Sequence, residues 1–135
     1  MIQPAAVLGI GVDLVENDRM GELIDRWGAR FVDRVFLSGE RKYCNTKAVP
    51  ARHYAGRFAV KEAVSKAFGT GLGPHLGWLD IEVVRDADTG APSVHFSERA
   101  RRWADSLGVG QVLISLSHTA HYAMAQALLL SSPAP

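Results

Sequence analysis

The sequence has only one cysteine, Cys44, among its 135 residues. A chain with one cysteine forms no internal disulfide and offers no cluster of thiolates to a structural metal ion. This excludes the disulfide-stabilised secreted scaffolds and the thiolate-rich zinc domains. The expected location is a reducing compartment, the cytoplasm.

Long apolar runs are also missing. The best candidate near the C-terminus, residues 123–130, spans about eight residues and contains Gln126, whereas a membrane helix needs about 20 apolar residues. The apolar run 4–12 has no basic segment in front of it, so it does not resemble a signal peptide. We therefore expect a soluble protein with no membrane partner.

The charge shows little excess of either sign, with a formal net charge of +1. Proteins that coat nucleic acid carry a clear positive excess, so no nucleic-acid partner is expected. The length corresponds to one ordinary domain, 1–135, which is large enough to form one hydrophobic core. Residues 131–135 are expected to form a frayed tail.

Hydrophobic periodicity, caps and turn residues predict an α+β fold, with one strand, a helical block and then mostly antiparallel strands. The first strand ends at Asp13, and the longest helix, 51–68, follows Pro50. On that helix, alanines at 55, 59, 63 and 67 predict close packing against a sheet or another helix. Shorter helices are predicted from Asp18 to Gly28, around 31–35, from Ser38 and over 98–107, and strands over 79–85, 93–96, 111–117 and 121–130.

The candidates for chemistry are charged side chains. Glu62 and Lys66 are four residues apart and share one face of the long helix, and Asp13 lies where the first strand ends. Two carboxylates without thiolates suit a hard cation such as Mg²⁺, above all one shared with phosphates. The alternatives are an ordinary helix ion pair for Glu62 and Lys66, about 0.3–0.5 kcal/mol, and a hydrogen-bond acceptor at a helix start for Asp13.

Two polar segments complete the candidates. Loop 69–73 is rich in glycine but lacks the lysine–threonine ending of a P-loop and is not a dinucleotide fingerprint. His118 follows a strand and is flanked by Ser117 and Thr119, a position where histidine is more often structural than catalytic. These residues permit a metal–phosphate site without requiring one.

Three segments together resemble one known family: GIGVDLVE at 9–16 with Arg19, RFAVKEAVSKAFGTG at 57–71 and SLSHT at 115–119. In this order and spacing they resemble the holo-acyl-carrier-protein synthases, the short bacterial type of 4'-phosphopantetheinyl transferase. The resemblance implies that family's fold, a mostly antiparallel sheet on a long central helix, and a homotrimer with active sites between subunits. It also implies transfer of 4'-phosphopantetheine from coenzyme A to a serine of apo-acyl carrier protein, in fatty acid or polyketide biosynthesis, with release of adenosine 3',5'-bisphosphate.

The resemblance also implies roles for individual residues. Asp13 and Glu62 are expected to hold Mg²⁺, and Lys66 to reach the transferred phosphate. Glu62 is the expected base, directly or through a bound water, with a bound water alone as the alternative. Arg57 and Lys61 are open between phosphate contacts and ordinary solvated charges.

The remaining expectations concern the two substrates. The residues expected to bind coenzyme A are Lys66, Gly69, Gly71, Ser117, His118 and Thr119. Arg19 and Arg26, beside the apolar row Met20, Leu23 and Trp27, are expected to dock an acidic carrier protein, with Arg30 and Arg34 next. A coenzyme A- or nucleotide-binding subunit without turnover and a purely structural trimer are the competing functions, and neither needs all of Asp13, Glu62 and Lys66.

Overall fold

The computed structural model describes residues 4–133, in which a strand leads into a block of four helices and a second block of strands follows. This order agrees with the predicted α+β class. The elements are β1 (Val7–Glu16), α1 (Asn17–Trp27), α2 (Ala29–Val35), α3 (Ser38–Asn45), α4 (Pro50–Ala67), β2 (Ile81–Arg85), β3 (Pro92–Phe96), α5 (Glu98–Ser106), β4 (Val109–His118) and β5 (Tyr122–Ser131), with a 3-10 turn, Trp78–Asp80, before β2.

The strands form two antiparallel sheets. One contains β1, β5 and β4 in that spatial order, and the other is the β2–β3 hairpin. Because β5 is central, its inward-facing alanines, Ala123, Ala125 and Ala127, are almost fully buried. Small side chains on this face allow a helix to lie close to the sheet.

The helix that covers this face is α4, and it touches the backbone of β1. A Cβ atom built on Gly11 would lie 1.9 Å from the Ala63 carbonyl oxygen, and one on Gly9 would lie 2.0 Å from that of Ala67. The alanine stripe predicted on α4 therefore packs against the glycines of β1. A side chain at either glycine would push the helix off the sheet.

Gly11→Ala is expected to destabilise the protein by about 3 kcal/mol, because the new methyl group meets backbone that cannot move aside. Gly21→Ala is the matched control. Its Cβ would lie 3.6 Å from that of Ala51, and alanine raises helix stability by about 0.5–1 kcal/mol over glycine. Urea unfolding measures both changes. Equal stability of Gly11→Ala and the parent would contradict the contact between strand and helix.

A second buried cluster lies where α1, α2, α3 and the first half of α4 meet. Its largest fully buried member is Phe36, whose ring meets Tyr54 edge-on at a centroid distance of 4.8 Å. The other buried members are Met20, Val32, Val35, Cys44, Ala55 and Ala123. The helical block is thus packed to the same sheet through Ala123.

No helix within residues 4–133 is both long enough and apolar enough to cross a membrane.

Several predicted boundaries differ from the structure, and three of these differences have a clear physical cause. Asp13 lies inside β1 and not at its end, because 14–16 continue the pairing with β5. The strand predicted from 79 starts at Ile81, since the preceding residues form the 3-10 turn, in which the Asp80 carboxylate accepts a hydrogen bond from Gly77. The tail predicted over 131–135 starts too early, because Ser131 is the last residue of β5 and bonds to Ala6 at both its hydroxyl and its amide. Residues 134–135 lie outside the described residues.

Candidate active site

Asp13, Glu62 and Lys66 come together where β1 meets α4. Side chains alternate along a strand, so Asp13 points to the same side as Gly11, toward the helix. The Lys66 ammonium lies 2.9 Å from Asp13 Oδ1 and also donates to the Val12 carbonyl oxygen at 3.1 Å. Glu62 is one helix turn before Lys66. The predicted ion pair of Glu62 with Lys66 is thus replaced by one between Lys66 and Asp13.

The electrostatics of this group favour a bound cation. Burial, and then the negative charge of Asp13, raise the pKa of Glu62 above its ordinary 4.5, while Lys66 acts in the opposite direction. Two carboxylates next to each other are relieved by a divalent cation, which prefers such oxygen ligands. Among residues 4–133 no group of three or more histidine, cysteine, aspartate or glutamate side chains is placed to hold a metal ion. Oxygen atoms of water or of a phosphate substrate would be the natural further ligands if Asp13 and Glu62 held a cation.

A second cluster, this one cationic, surrounds His118 at the end of β4. The His118 and His53 rings lie 5.8 Å apart, and the Arg57 guanidinium lies 4.1 Å from the Tyr43 ring centroid. Together with parts of β2 and β3, these four residues line a pocket of about 200 Å³. Arg57 is 5% exposed, and its Nε atom has no hydrogen-bond partner within the described part of the chain. A buried cation with an unused donor is suited to an anionic ligand.

The two histidines are poised to gain a proton when an anion arrives. Burial is the main cause that lowers the pKa of His53. The charges of His118 and then Arg57 lower this pKa further. Burial and the charge of Arg57 likewise lower the pKa of His118 below 6.5. A phosphate in this pocket would reverse both effects. A bound anion would therefore favour the protonated form of both imidazoles.

Gly56 on α4 leaves the space in which the His118 ring of β4 lies against the helix. A Cβ atom on Gly56 would lie 2.5 Å from Cε1 of His118, so only glycine lets the imidazole lie against α4. Asp13 is on β1 and His118 on β4, with β5 between them, so two strand spacings, about 10 Å, separate their backbones. Within one chain, the carboxylate group and the cationic cluster flank α4 on different sides.

The glycine loop lies beyond the other end of α4. Gly69 and Gly71 have φ angles of 79° and 66°, and the Gly71 amide donates to the Ser65 carbonyl, so both help to end the helix. They are about 20 Å along the helix axis from Gly56. The loop begins three residues after Lys66 and adjoins the carboxylate group. The structure does not place it next to residues 117–119 of the same chain.

The three polar residues at the end of β4 do not act alike. Ser117 pairs with Met124 and faces away from α4, on the side opposite to His118. The Thr119 hydroxyl accepts a hydrogen bond from the Tyr122 amide and closes the turn to β5. The Asn17 amide group donates to the carbonyl oxygens of Thr119 and Ala120, which fixes this turn beside α1.

An apolar groove with a basic rim, the α1–α2 groove, lies on the helical block. Its volume is about 680 Å³, and it is lined by Leu23, Trp27, Arg30, Phe31, Arg34, Val35, Phe58 and Trp78. The Phe58 and Trp78 rings stack at 4.8 Å, and the Arg26 guanidinium lies 5.1 Å from the Trp27 ring centroid. Of the predicted apolar row, Leu23 and Trp27 line the groove, and Met20 is in the core. Arg19 is exposed, one turn before Leu23.

The structure corrects the expectations for two cations on α4. Lys61 is fully buried against Glu40, so it is neither a solvated charge nor a phosphate contact. Arg57 is buried too, which excludes the solvated alternative for it.

His53 was not predicted from the sequence. Its spacing of four residues before Arg57, on the same helix face, is the signal that identifies it.

Comparison with known proteins identifies the class first. The family model for the 4'-phosphopantetheinyl transferase superfamily matches residues 9–127. A holo-[acyl-carrier-protein] synthase of Protochlamydia amoebophila is 46% identical over 90% of this chain and 96% of that protein. One from Ruminiclostridium cellulolyticum is 43% identical over 89% of this chain and 90% of that protein.

Solved structures agree with these matches. The holo-[acyl-carrier-protein] synthase of Neisseria meningitidis has a TM-score of 0.86 at 28% identity and covers 92% of this chain and 98% of its own. That of Bacillus anthracis in complex with CoA (3',5'-ADP) has a TM-score of 0.78 at 35% identity, with 96% and 100% covered. The chain belongs to the holo-[acyl-carrier-protein] synthase family. The resemblance, the fold and the transfer of phosphopantetheine from coenzyme A to an acyl carrier protein are thereby confirmed. The roles of individual residues stay predictions.

Proposed function

We propose that Asp13, Glu62 and Lys66 are the catalytic centre of a Mg²⁺-dependent holo-acyl-carrier-protein synthase that works in fatty acid biosynthesis. The convergence of two carboxylates and a lysine at the β1–α4 contact carries this proposal. We place the enzyme in the cytoplasm, which agrees with a buried cysteine thiol that stays free. The single domain predicted over 1–135 is part of the same proposal.

The donor set fits the metal. Asp13 and Glu62 offer the hard oxygen ligands that Mg²⁺ prefers, and few enough of them to leave room for phosphate oxygens. When bound, the ion neutralises negative charge on the pyrophosphate of coenzyme A. Lys66 is half exposed, with its ammonium at the same place, so it can turn from Asp13 to the phosphate being transferred.

Glu62 has the environment of a general base. In the reaction, the carrier serine oxygen forms a bond to the β-phosphorus of coenzyme A, and the bond from that phosphorus to the bridging oxygen breaks. Adenosine 3',5'-bisphosphate leaves with the bond's electrons, and the serine proton must be taken up. Glu62 is the proposed acceptor of that proton, directly or through a bound water, because its carboxylate lies near that of Asp13 and one helix turn from Lys66, whose ammonium pairs with Asp13.

Coenzyme A is proposed to lie between two copies of the chain. Lys66 and the glycine loop at 69–71 bind the pyrophosphate of coenzyme A in this proposal. The cationic cluster of His118, His53 and Arg57 binds the other phosphate end of the same molecule. These two groups flank α4 on different sides within one chain. One coenzyme A molecule therefore reaches both most directly if one group comes from each of two neighbouring copies. Thr119 supports His118 through the turn. Ser117, which faces outward, is positioned to meet the neighbouring copy.

The outer face of the sheet supplies a surface for that assembly, proposed as a homotrimer. It carries the exposed apolar side chains Ile10, Val12, Leu14, Leu113 and Met124, each between 43% and 62% exposed. Strand pairing brings them together, since Leu14 lies opposite Met124, and Ile10 and Leu113 both lie opposite Leu128. A contiguous apolar patch of this kind is typical of an interface between subunits.

Coenzyme A binding is expected to be accompanied by proton uptake at His118. The pKa of this imidazole is lowered in the free protein, whereas a phosphate in contact raises it, so binding becomes tighter as the pH falls through the pKa of the bound form. Calorimetry in two buffers of different ionisation enthalpy measures the protons taken up. His118→Asn should reduce the measured uptake relative to the parent, because only His53 of the two imidazoles then remains in the pocket. Identical uptake in both proteins would place the phosphate elsewhere.

The α1–α2 groove is the proposed docking site for the carrier protein, with Arg19, Arg26, Arg30 and Arg34 around its rim. An acidic amphipathic helix complements such a surface in both its apolar and its charged parts. The groove includes Phe58, which shares a face of α4 with Glu62, one turn away. A carrier docked there holds its serine close to the catalytic group.

Arg19→Glu is expected to raise the KM for carrier protein by about tenfold and to leave the KM for coenzyme A almost unchanged. Higher ionic strength should raise the parent's KM for carrier protein and reduce the difference in this KM between the parent and the variant. Arg102→Glu on α5, which removes the exposed pair with Glu98, is a charge-matched control away from the groove. Equal damage to both substrates would show that Arg19 supports the fold or the coenzyme site instead.

The function itself is tested by mass spectrometry. The protein is incubated with coenzyme A, Mg²⁺ and an apo-acyl carrier protein, and a gain of one phosphopantetheine is expected. A panel of carriers from fatty acid and polyketide synthesis shows which class is served. Binding of coenzyme A without any mass gain on any carrier would favour a binding subunit that lacks turnover.

A further inference from the structure

The mechanism above gives no role to the most deeply buried ion pair of the described residues. Lys61 and Glu40 are both inaccessible to solvent, and the Lys61 ammonium lies 2.7 Å from Glu40 Oε1. The same ammonium donates to the carbonyl oxygens of Val35, at 2.6 Å, and Trp78, at 3.0 Å. All three of its donor hydrogens are thereby used.

Glu40 is equally fully bonded. Its Oε1 also accepts from the Leu37 amide at 2.9 Å, which caps α3, and its Oε2 accepts from the Val83 amide at 3.0 Å. The pair therefore connects α4 to the end of α2, the start of α3, the 3-10 turn and β2. A buried ion pair is often no more stabilising than a well-packed apolar pair, because both charges lose their hydration. Stability alone does not account for this arrangement.

The location of its contacts indicates a role. Val35 and Trp78, whose carbonyl oxygens Lys61 holds, both line the α1–α2 groove. Val35 belongs to the wall that α2 forms with its two arginines, and Trp78 belongs to the wall where it stacks on Phe58. Because the Lys61 ammonium bonds to the backbone of both walls, it sets the distance between them. Lys61 is also the residue directly before Glu62, so the same helix turn carries the groove support and the catalytic carboxylate.

We propose that Lys61 and Glu40 are positioning residues that hold the two walls of the α1–α2 groove at the spacing the carrier protein needs. This inference rests on the proposed docking of the carrier in that groove. The pair touches neither substrate. It acts on the affinity for carrier protein, because a preformed groove avoids the cost of ordering its walls when the partner binds.

The double variant Glu40→Gln with Lys61→Met tests this role. It removes both charges together, so no uncompensated ion remains buried, and methionine cannot bond to the two carbonyl oxygens. We expect the KM for carrier protein to rise by about tenfold or more, with kcat at saturating carrier and the KM for coenzyme A within about twofold of the parent. Glu40→Gln alone leaves the ammonium buried without its counter-ion, so it is expected to lower the thermal midpoint more than the double variant does. A purely structural role would instead lower the thermal midpoint and reduce the active fraction without this separation of KM values.

Lys61→Arg covers the case in which the double variant does not fold. It retains the charge opposite Glu40, but the wider planar guanidinium cannot occupy the same place without moving the Val35 or Trp78 carbonyl. A raised KM for carrier supports the proposal. An unchanged KM for carrier in a folded Lys61 variant overturns it, and so does equal damage to kcat and to both KM values.

Leu23→Asp separates this inference from the docking proposal. It changes the groove lining directly and leaves the ion pair intact. If Leu23→Asp and the Lys61 variants all leave the KM for carrier unchanged, docking in the groove is wrong and the inference falls with it. If Leu23→Asp raises that KM and the Lys61 variants do not, the groove binds carrier and the positioning role alone is overturned.

Discussion

Replacing Asp13 by alanine, or Glu62 by glutamine, is expected to lower the rate of phosphopantetheine transfer by about a hundredfold or more. Each change removes one of the two carboxylates that meet at the β1–α4 contact. Asp13→Ala also leaves the Lys66 ammonium with only the Val12 carbonyl as its partner there. The charge that neutralises the pyrophosphate is then no longer held in place, and in Glu62→Gln the proposed base is lost as well. Chelation of Mg²⁺ should reduce the parent to a similar rate.

Glu16→Gln is the matched control for these variants. Glu16 is exposed on the same strand, three residues after Asp13 and on its other face, so the loss of its charge should leave the rate within about twofold. Mass spectrometry of the carrier, at several Mg²⁺ concentrations, measures all four proteins. A higher Mg²⁺ requirement is expected for Asp13→Ala. Full activity in Glu62→Gln would contradict both roles proposed for that residue.

Val12→Glu is expected to convert a trimer into monomers and to reduce transfer by about a hundredfold or more. Val12 is 54% exposed on the outer face of the sheet, with Ile10 and Leu14, 62% and 61% exposed, on either side. A carboxylate in the middle of this patch would be buried without a partner in an assembly, which is costly. The separated chain would keep Asp13, Glu62 and Lys66 but lose the neighbouring copy's His118 cluster.

Light scattering measures the assembly, and the parent should have a mass of about three chains. Val49→Glu is the matched control, because Val49 is 44% exposed but precedes α4 outside the sheet. It should retain both mass and activity. A parent that is a stable, fully active monomer would remove the shared active site from the proposal. A monomeric Val12→Glu with full activity would do the same.

Local signals in the sequence determined the elements and the ends of several helices. Pro50 begins α4, Gly69 follows its end, and the Ser97 hydroxyl caps α5 by accepting a hydrogen bond from the Ala100 amide. The spacing of alanines on α4 also predicted close packing of that helix against a sheet or another helix. These features are predictable because they depend on backbone sterics and on hydrogen bonds between residues that are near each other in the chain.

The family resemblance selected Asp13, Glu62 and Lys66 from the sequence, but only the tertiary structure decided which side chains meet. Spacing on the helix paired Lys66 with Glu62, yet packing of β1 against α4 brings it to Asp13, 53 residues away. Spacing likewise left Lys61 open, and it is Glu40, 21 residues away on α3, that makes it a buried structural cation.

The position of His118 on the other side of α4 from Asp13 has the same origin. It follows from the strand order β1-β5-β4, in which two segments distant in sequence become the two edges of one sheet. The physical reason is that helix and strand periodicity determine which face a residue occupies, while the element that covers that face is chosen by long-range packing. The sequence by itself therefore determined the elements and their faces, and the tertiary structure decided the partners of its charged residues.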